Sequence, residues 1–310
     1  MHFSDRLVSA IQDRKTPLCV GLDPRQDRLP RHWQEEFEAN PGAAVPSNVA
    51  DIYRRFCEGI IDVVAPLVPC VKPQAAFFEA LGPAGMAALA DVVQYAQNRE
   101  LLVIMDAKRG DIGSTANAYA NAYLLRGPQG IWRCDSLTVN PYLGDDSLEP
   151  FVNVACDNDG GVFVLVKTSN PGGKLFQELE AEGKPVFRHV AQHVQSLAAQ
   201  TQGECRYGAV GAVVGATYPQ QLTELRQEMP NTLFLVPGLG AQGGTAKDIN
   251  GGFDECGLGA VINSSRAIIF AYEQDEYANH VNWQGAVEQA TRDTIQQLAE
   301  NTRAGQLRST

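Results

Sequence analysis

Short, almost wholly apolar runs alternate along this chain with longer segments in which apolar residues recur every three or four positions. The runs at 18–22, 67–71, 101–105, 136–139, 162–166, 210–214, 233–236 and 260–262 read as strands. Helical periodicity fills most of the intervals, at about 47–64, 83–99, 114–125, 147–156, 186–199 and 219–228, with a short helix near 245–249. Strands this apolar are buried on both faces, and strands that alternate with helices run parallel. Eight such units in roughly 250 residues predict a (β/α)8 TIM barrel, with a doubly wound open sheet as the alternative. An amphipathic segment at 3–14, with Leu7, Val8 and Ile11 on one side, adds an N-terminal helix, and 275–304 adds one or two at the other end. The polar, proline-containing stretch 26–46 reads as an insertion with a short helix near Trp33. The whole chain, 1–310, is expected to form one α/β domain.

In such a barrel, functional side chains come from the C-terminal strand ends and the loops beyond them. Those positions hold Asp23, Lys72, Asp106, Lys108, Asp111, Asn140, Ser169, Gln242 and Arg266. The third strand runs into Asp106-Ala107-Lys108-Arg109-Gly110-Asp111, a D-x-K-x-x-D pattern. Extended backbone puts Asp106 and Lys108 on one side, where the carboxylate keeps the ammonium charged as a proton donor. A surface ion pair is the bland reading of an isolated D-x-K. Three of only seven lysines (Lys72, Lys108 and Lys167) end strands, which favours a functional cluster. The glycine-rich run 237–244 after the seventh strand, with Arg266 after the eighth, reads as a phosphate site. His189 and His193 stand four apart but lack a third ligand, and Asp145 and Asp146 read as helix caps.

Composition narrows the partners. A net charge of −11 argues against nucleic acid and anionic membranes, and no apolar run reaches the length of a membrane span. No signal-peptide pattern opens the sequence. Seven scattered cysteines, none in C-x-x-C spacing, fit free thiols in a reducing cytoplasm.

Gly21-Leu22-Asp23-Pro24, Val71-Lys72-Pro73, Met105 to Ile112, Thr168-Ser169-Asn170-Pro171, Pro237 to Gly244 and Arg266 together resemble the orotidine 5′-phosphate decarboxylases, with the longer chain and the 26–46 insertion similar to the branch called type 2. Related sugar-phosphate barrels share the D-x-K-x-x-D element, but the metal-assisted ones carry an acidic residue where this chain has Lys72. The resemblance therefore implies cofactor-free and metal-free conversion of orotidine 5′-monophosphate to uridine 5′-monophosphate, a step of de novo pyrimidine synthesis. It implies that Lys108 stabilises the C6 carbanion and protonates it, with Asp106, Asp111 and Lys72 completing the charge array. It also implies that Asp23 meets the ribose, Ser169 the pyrimidine, and Gln242 and Arg266 the phosphate. Asp111 and Thr115 are implied to reach a neighbouring subunit's site in a homodimer. Lys167 is left without a role beyond structure. A metal-dependent lyase and a non-catalytic nucleotide-binding barrel remain as alternatives.

Overall fold

A computed structural model describes residues 1–40, 42, 44–238 and 245–308. Eight parallel strands close into a barrel: β1 (Leu18–Leu22), β2 (Cys70–Pro73), β3 (Leu102–Arg109), β4 (Ser136–Val139), β5 (Gly161–Lys167), β6 (Val210–Val214), β7 (Phe234–Pro237) and β8 (Ala260–Ser264). Neighbours in sequence are neighbours in space, and β1 pairs with β8 to complete the ring. The closed topology excludes the open sheet. Most strand residues are buried because the barrel interior covers one face and the helices the other.

The helix layer follows the apolar stripes. Helix α1 (Phe3–Arg14) turns Phe3, Leu7, Val8 and Ile11 inward, as the periodicity predicts. It lies under the N-terminal end of the barrel, where Phe3 packs edge-on against Phe163 of β5. Arg6 meets the buried Asp135 carboxylate at 2.5 Å, and the same carboxylate accepts the Val103 amide of β3. Helix α2 (Arg31–Ala39) is the short helix expected within the insertion. Far from standing apart, it buries Trp33 and Phe37. Trp33 joins Phe56 of α3 (Pro46–Val64) and Trp283 in one aromatic cluster. Next come α4 (Ala75–Glu79), α5 (Gly82–Asn98), α6 (Gly113–Leu124), α7 (Glu149–Asp157), α8 (Lys174–Gln177), α9 (Val186–Gln200), α10 (Pro219–Glu228), α11 (Arg266–Ile269) and α12 (Trp283–Asn301). Asn282 caps α12 by accepting the Gly285 amide at 2.8 Å.

Several local expectations need correction. The second strand begins at Cys70, not at 67, because α3 runs into a turn that ends at Pro69, and only then does the chain pair with β1. The third strand does not end at Met105 but continues to Arg109 through an irregularity. Asp145 and Asp146 do not cap α7, which begins at Glu149; Asp145 instead accepts the Asp146 amide in the preceding turn. The helix expected at 245–249 is, over its described residues, a turn leading to a single 3-10 turn at Asn250–Gly252. Four of the seven cysteines are buried, and Cys156 and Cys256 are exposed. Among the described residues, no helix is long and apolar enough to cross a membrane.

Candidate active site

At the C-terminal ends of β2 and β3, one buried carboxylate organises the polar groups. Asp106 takes a hydrogen bond from Lys72 Nζ on Oδ2 and from Lys108 Nζ on Oδ1, each at 2.6 Å. Gln74 Nε2 donates to Oδ2 at 3.1 Å, and the Thr138 hydroxyl of β4 donates to Oδ1 at 3.0 Å. Lys72 is 4% exposed and Asp106 7%. Burial at Asp106 favours the neutral acid, but the ammonium groups of Lys72 and Lys108 prevail and hold the carboxyl well below the usual carboxylate range. Burial likewise opposes the charge on Lys72, and Asp106 with Asp23 reverses that, keeping the ammonium charged well past the ordinary lysine range.

The backbone around Lys108 departs from the extended strand that the spacing implies. Lys108 has φ +45°, a left-handed conformation that a lysine adopts only when its surroundings hold it there. The Thr138 hydroxyl supplies that hold, accepting the amides of Ala107 at 3.1 Å and Lys108 at 2.9 Å. Asp106 and Lys108 therefore meet because β3 bulges over β4, not because of simple two-residue alternation.

A cavity of about 540 Å³ opens beside this array, lined by Asp23, Gln74, Phe77, Lys108 and Arg266, together with Arg25. Asp23 and Arg266 come from opposite ends of the chain and are brought together by the pairing of β1 with β8. Asp23 Oδ1 is shielded from solvent and has no hydrogen-bond partner among the described residues. A buried acceptor without a donor is unfavourable unless a ligand or water supplies one. Ser169 follows β5 and is half-buried, with its carbonyl accepting the Thr217 hydroxyl at 3.4 Å. Gln242 and the 239–244 part of the glycine-rich run lie outside the described residues.

Asp111 and Thr115 stand apart from this cavity. Asp111 Oδ1 accepts the Ile112 amide at 2.8 Å, and Thr115 is exposed on the first turn of α6. Within one chain, then, Asp23, Lys72, Asp106, Lys108 and Arg266 converge, while the half-buried Asp111 and the exposed Thr115 lie outside the cavity lining. Two residues of the array escaped the sequence reading. Gln74 was within reach of it, since it stands two residues beyond Lys72 on a strand end. Thr138 was not, because a threonine inside an apolar strand carries no signal of its own. Among the described residues, no three His, Cys, Asp or Glu side chains are grouped to hold a metal ion.

The family model for orotidine 5′-phosphate decarboxylase / HUMPS matches residues 16–281. The chain is 51% identical to the orotidine 5′-phosphate decarboxylase of Rhodopirellula baltica over 303 residues, covering 96% of this chain and 99% of that one. It is 42% identical to the enzyme of the same name from Deinococcus radiodurans, covering 87% and 89% of the two chains. Among solved structures, the OMP decarboxylase of Leishmania donovani superimposes with a TM-score of 0.74 at 30% identity, covering 100% of both chains.

Proposed function

This chain belongs to the orotidine 5′-phosphate decarboxylase / HUMPS family and is an orotidine 5′-phosphate decarboxylase, and on that premise we propose how its side chains divide the reaction. The reaction breaks the bond between pyrimidine C6 and its carboxylate, releasing CO2 and leaving an electron pair on C6. No adjacent carbonyl delocalises that pair. The enzyme must present positive charge at C6 and then deliver a proton there.

Lys108 suits both tasks: its ammonium lies at the cavity wall and donates to Asp106. It stabilises the developing carbanion and then protonates it, a combination of electrostatic and general-acid catalysis. Asp106 holds the Lys108 ammonium aimed, and Lys72 keeps Asp106 ionised from the other side. Asp106 also faces the departing carboxylate as a like charge, which destabilises the bound substrate relative to the carbanion. Asp23, with its unpartnered buried oxygen, accepts a ribose hydroxyl. Arg266 grips the phosphate with Gln242, and Ser169 contacts the pyrimidine. Binding energy from the phosphate, far from C6, supports the chemical step. The observation that carries this reading is the Lys72–Asp106–Lys108 array, in which the buried Lys72–Asp106 pair backs a half-exposed Lys108 at the cavity wall.

We further propose a homodimer in which Asp111 and Thr115 complete the partner's site. Their placement outside the cavity lining supports this. So do the exposed apolar side chains of Ile112, next to Asp111 in the chain, and of Tyr142, whose ring lies against that of Phe176. Pyrimidine synthesis makes the cytoplasm the natural compartment for this enzyme.

Loss of substrate absorbance on decarboxylation gives the direct assay. Lys108→Ala is expected to lower turnover by at least about a thousandfold while binding of uridine 5′-monophosphate stays near wild type. Turnover within about tenfold of wild type would remove Lys108 from the role of acid.

A further inference from the structure

Lys167 ends β5 as Lys72 and Lys108 end theirs in outline, yet it plays no part in the array around Asp106. Its side chain turns out of the barrel toward the helix layer, where Nζ lies 5.4 Å from the centre of the Phe187 ring of α9 and 4.6 Å from that of Tyr218. It is 1% exposed, which is extreme for a lysine and requires a counter-charge. Glu178 provides one at 2.8 Å, reaching in from the far end of the loop that follows β5. That hydrogen bond holds the Glu178 carboxyl below its ordinary range.

The same loop is fastened twice more. The Thr168 amide donates to Gln177 Oε1 at 3.1 Å, and Gln177 Nε2 donates to the Thr168 hydroxyl at 2.7 Å. The segment between, with α8 and the exposed Leu175 and Phe176, is therefore a closed arch whose two feet meet at Lys167 and Thr168. Ser169 sits on the inner foot. It is pressed against the chain just beyond β6, where a Cβ on Gly215 would come within 2.8 Å of the Ser169 amide nitrogen.

We propose that Lys167 and Glu178 form a positioning pair that clamps the arch shut and thereby fixes Ser169 over the pyrimidine of the substrate. This rests on the pyrimidine contact assigned to Ser169 above. The cation–aromatic contacts hold the ammonium on the sheet side, so the mobile end of the clamp is Glu178. Opening the arch separates the pair and leaves a buried ammonium unpaired, a cost that favours the closed arrangement. The clamp acts on the base-binding half of the site and leaves the phosphate-binding half, built on β8, untouched.

Glu178→Gln keeps the size and removes the counter-charge; Lys167→Met keeps the length and removes the ammonium. Binding of uridine 5′-monophosphate and of ribose 5-phosphate is measured by calorimetry, and amide exchange across 168–178 by mass spectrometry. Each variant is expected to weaken uridine 5′-monophosphate about tenfold, leave ribose 5-phosphate unchanged, raise KM more than it lowers kcat, and speed exchange in the arch. Ser169→Ala should weaken uridine 5′-monophosphate to a similar extent, and adding it to Glu178→Gln should cost little more, since residues acting as one unit are not additive. Should Lys167→Met fail to fold, Glu178→Gln, at the protein surface, decides alone. Wild-type nucleotide affinity and wild-type exchange in Glu178→Gln overturn the proposal, as does equal loss of both ligands. Loss in Glu178→Gln with none in Ser169→Ala rejects the Ser169 assignment and keeps the clamp, acting through another residue of the arch.

Discussion

Two ammonium groups share one buried carboxylate at Asp106, and that ratio sets how the site responds to pH. Asp106 has its folded-state pKa depressed, so its contribution to stability is complete above the ordinary carboxylate pKa and is lost only as pH falls through the depressed value. Lys72 has its pKa raised, so its contribution is complete below the ordinary lysine pKa and is lost as pH rises through the elevated one. The array is therefore intact from about pH 4 to about pH 10, bounded by the two unperturbed values. Asp106→Asn strands Lys72 in the interior and is expected to cost about 3 to 5 kcal/mol near neutrality, measured by urea unfolding. The gap between wild type and variant should narrow in strong acid and in strong base. A pH-independent gap would mean that Asp106 contributes packing rather than charge. The partners of this residue were readable to unequal degrees. Asp23, Lys72, Lys108 and Arg266 announce themselves as charges where apolar strands stop. The left-handed turn at Lys108 and the threonine that holds it depend on how β3 lies against β4, and no local pattern encodes that.

At the scale of elements, the alternation of apolar runs and amphipathic segments was enough to place all eight strands and most helices, because burial on both faces leaves a plain imprint on composition. Boundaries were blurred where packing overrules propensity, as at the start of β2 and the end of β3. The insertion was the larger surprise. The sequence marks only a short helix near Trp33 in a polar stretch, and the assembled fold shows Trp33 meeting Phe56 of the next helix and Trp283 from the other end of the chain. The junction of α1 with the barrel is tighter still. A Cβ on Gly161 would fall 2.2 Å from the Phe3 ring, so α1 seals the barrel floor only because β5 begins with glycine. Gly161→Ala is expected to destabilise the protein by about 2 kcal/mol through overpacking, with the denaturation midpoint as the measure. Adding Phe3→Leu should recover part of that loss; no recovery would place the strain elsewhere.

For the molecule as a whole, the proposed division of labour between subunits makes a distinctive prediction. Lys108→Ala and Asp111→Ala chains are each expected to be nearly inactive alone. Refolded together in equal amounts, they form mixed dimers in which one of the two sites contains no altered residue. With random pairing about half of the dimers are mixed, each with one intact site, so recovery of about a quarter of wild-type activity is expected. Zero recovery with mixed dimers demonstrated would place Asp111 in the site of its own subunit. The sequence carried this idea only through family resemblance. Within the chain, its support is that Asp111 and Thr115 lie near the site in sequence and outside its cavity in space, with exposed apolar side chains such as Ile112 close by in the chain.

The pairing of β1 with β8 bears on how the protein is made. Asp23 and Arg266 occupy one cavity, yet a ribosome that has just released the first must add more than two hundred further residues before the second exists. Until then the first strand has an open edge, and the cavity lacks part of its lining. Ring closure thus waits for most of the chain and carries a large loop-closure cost, and it is also the contact that brings the two ends of the cavity lining together. Ligand affinity consequently reports on completion of the fold: a nascent or truncated chain lacking β8 gains nothing from substrate, whereas the finished barrel is stabilised by it.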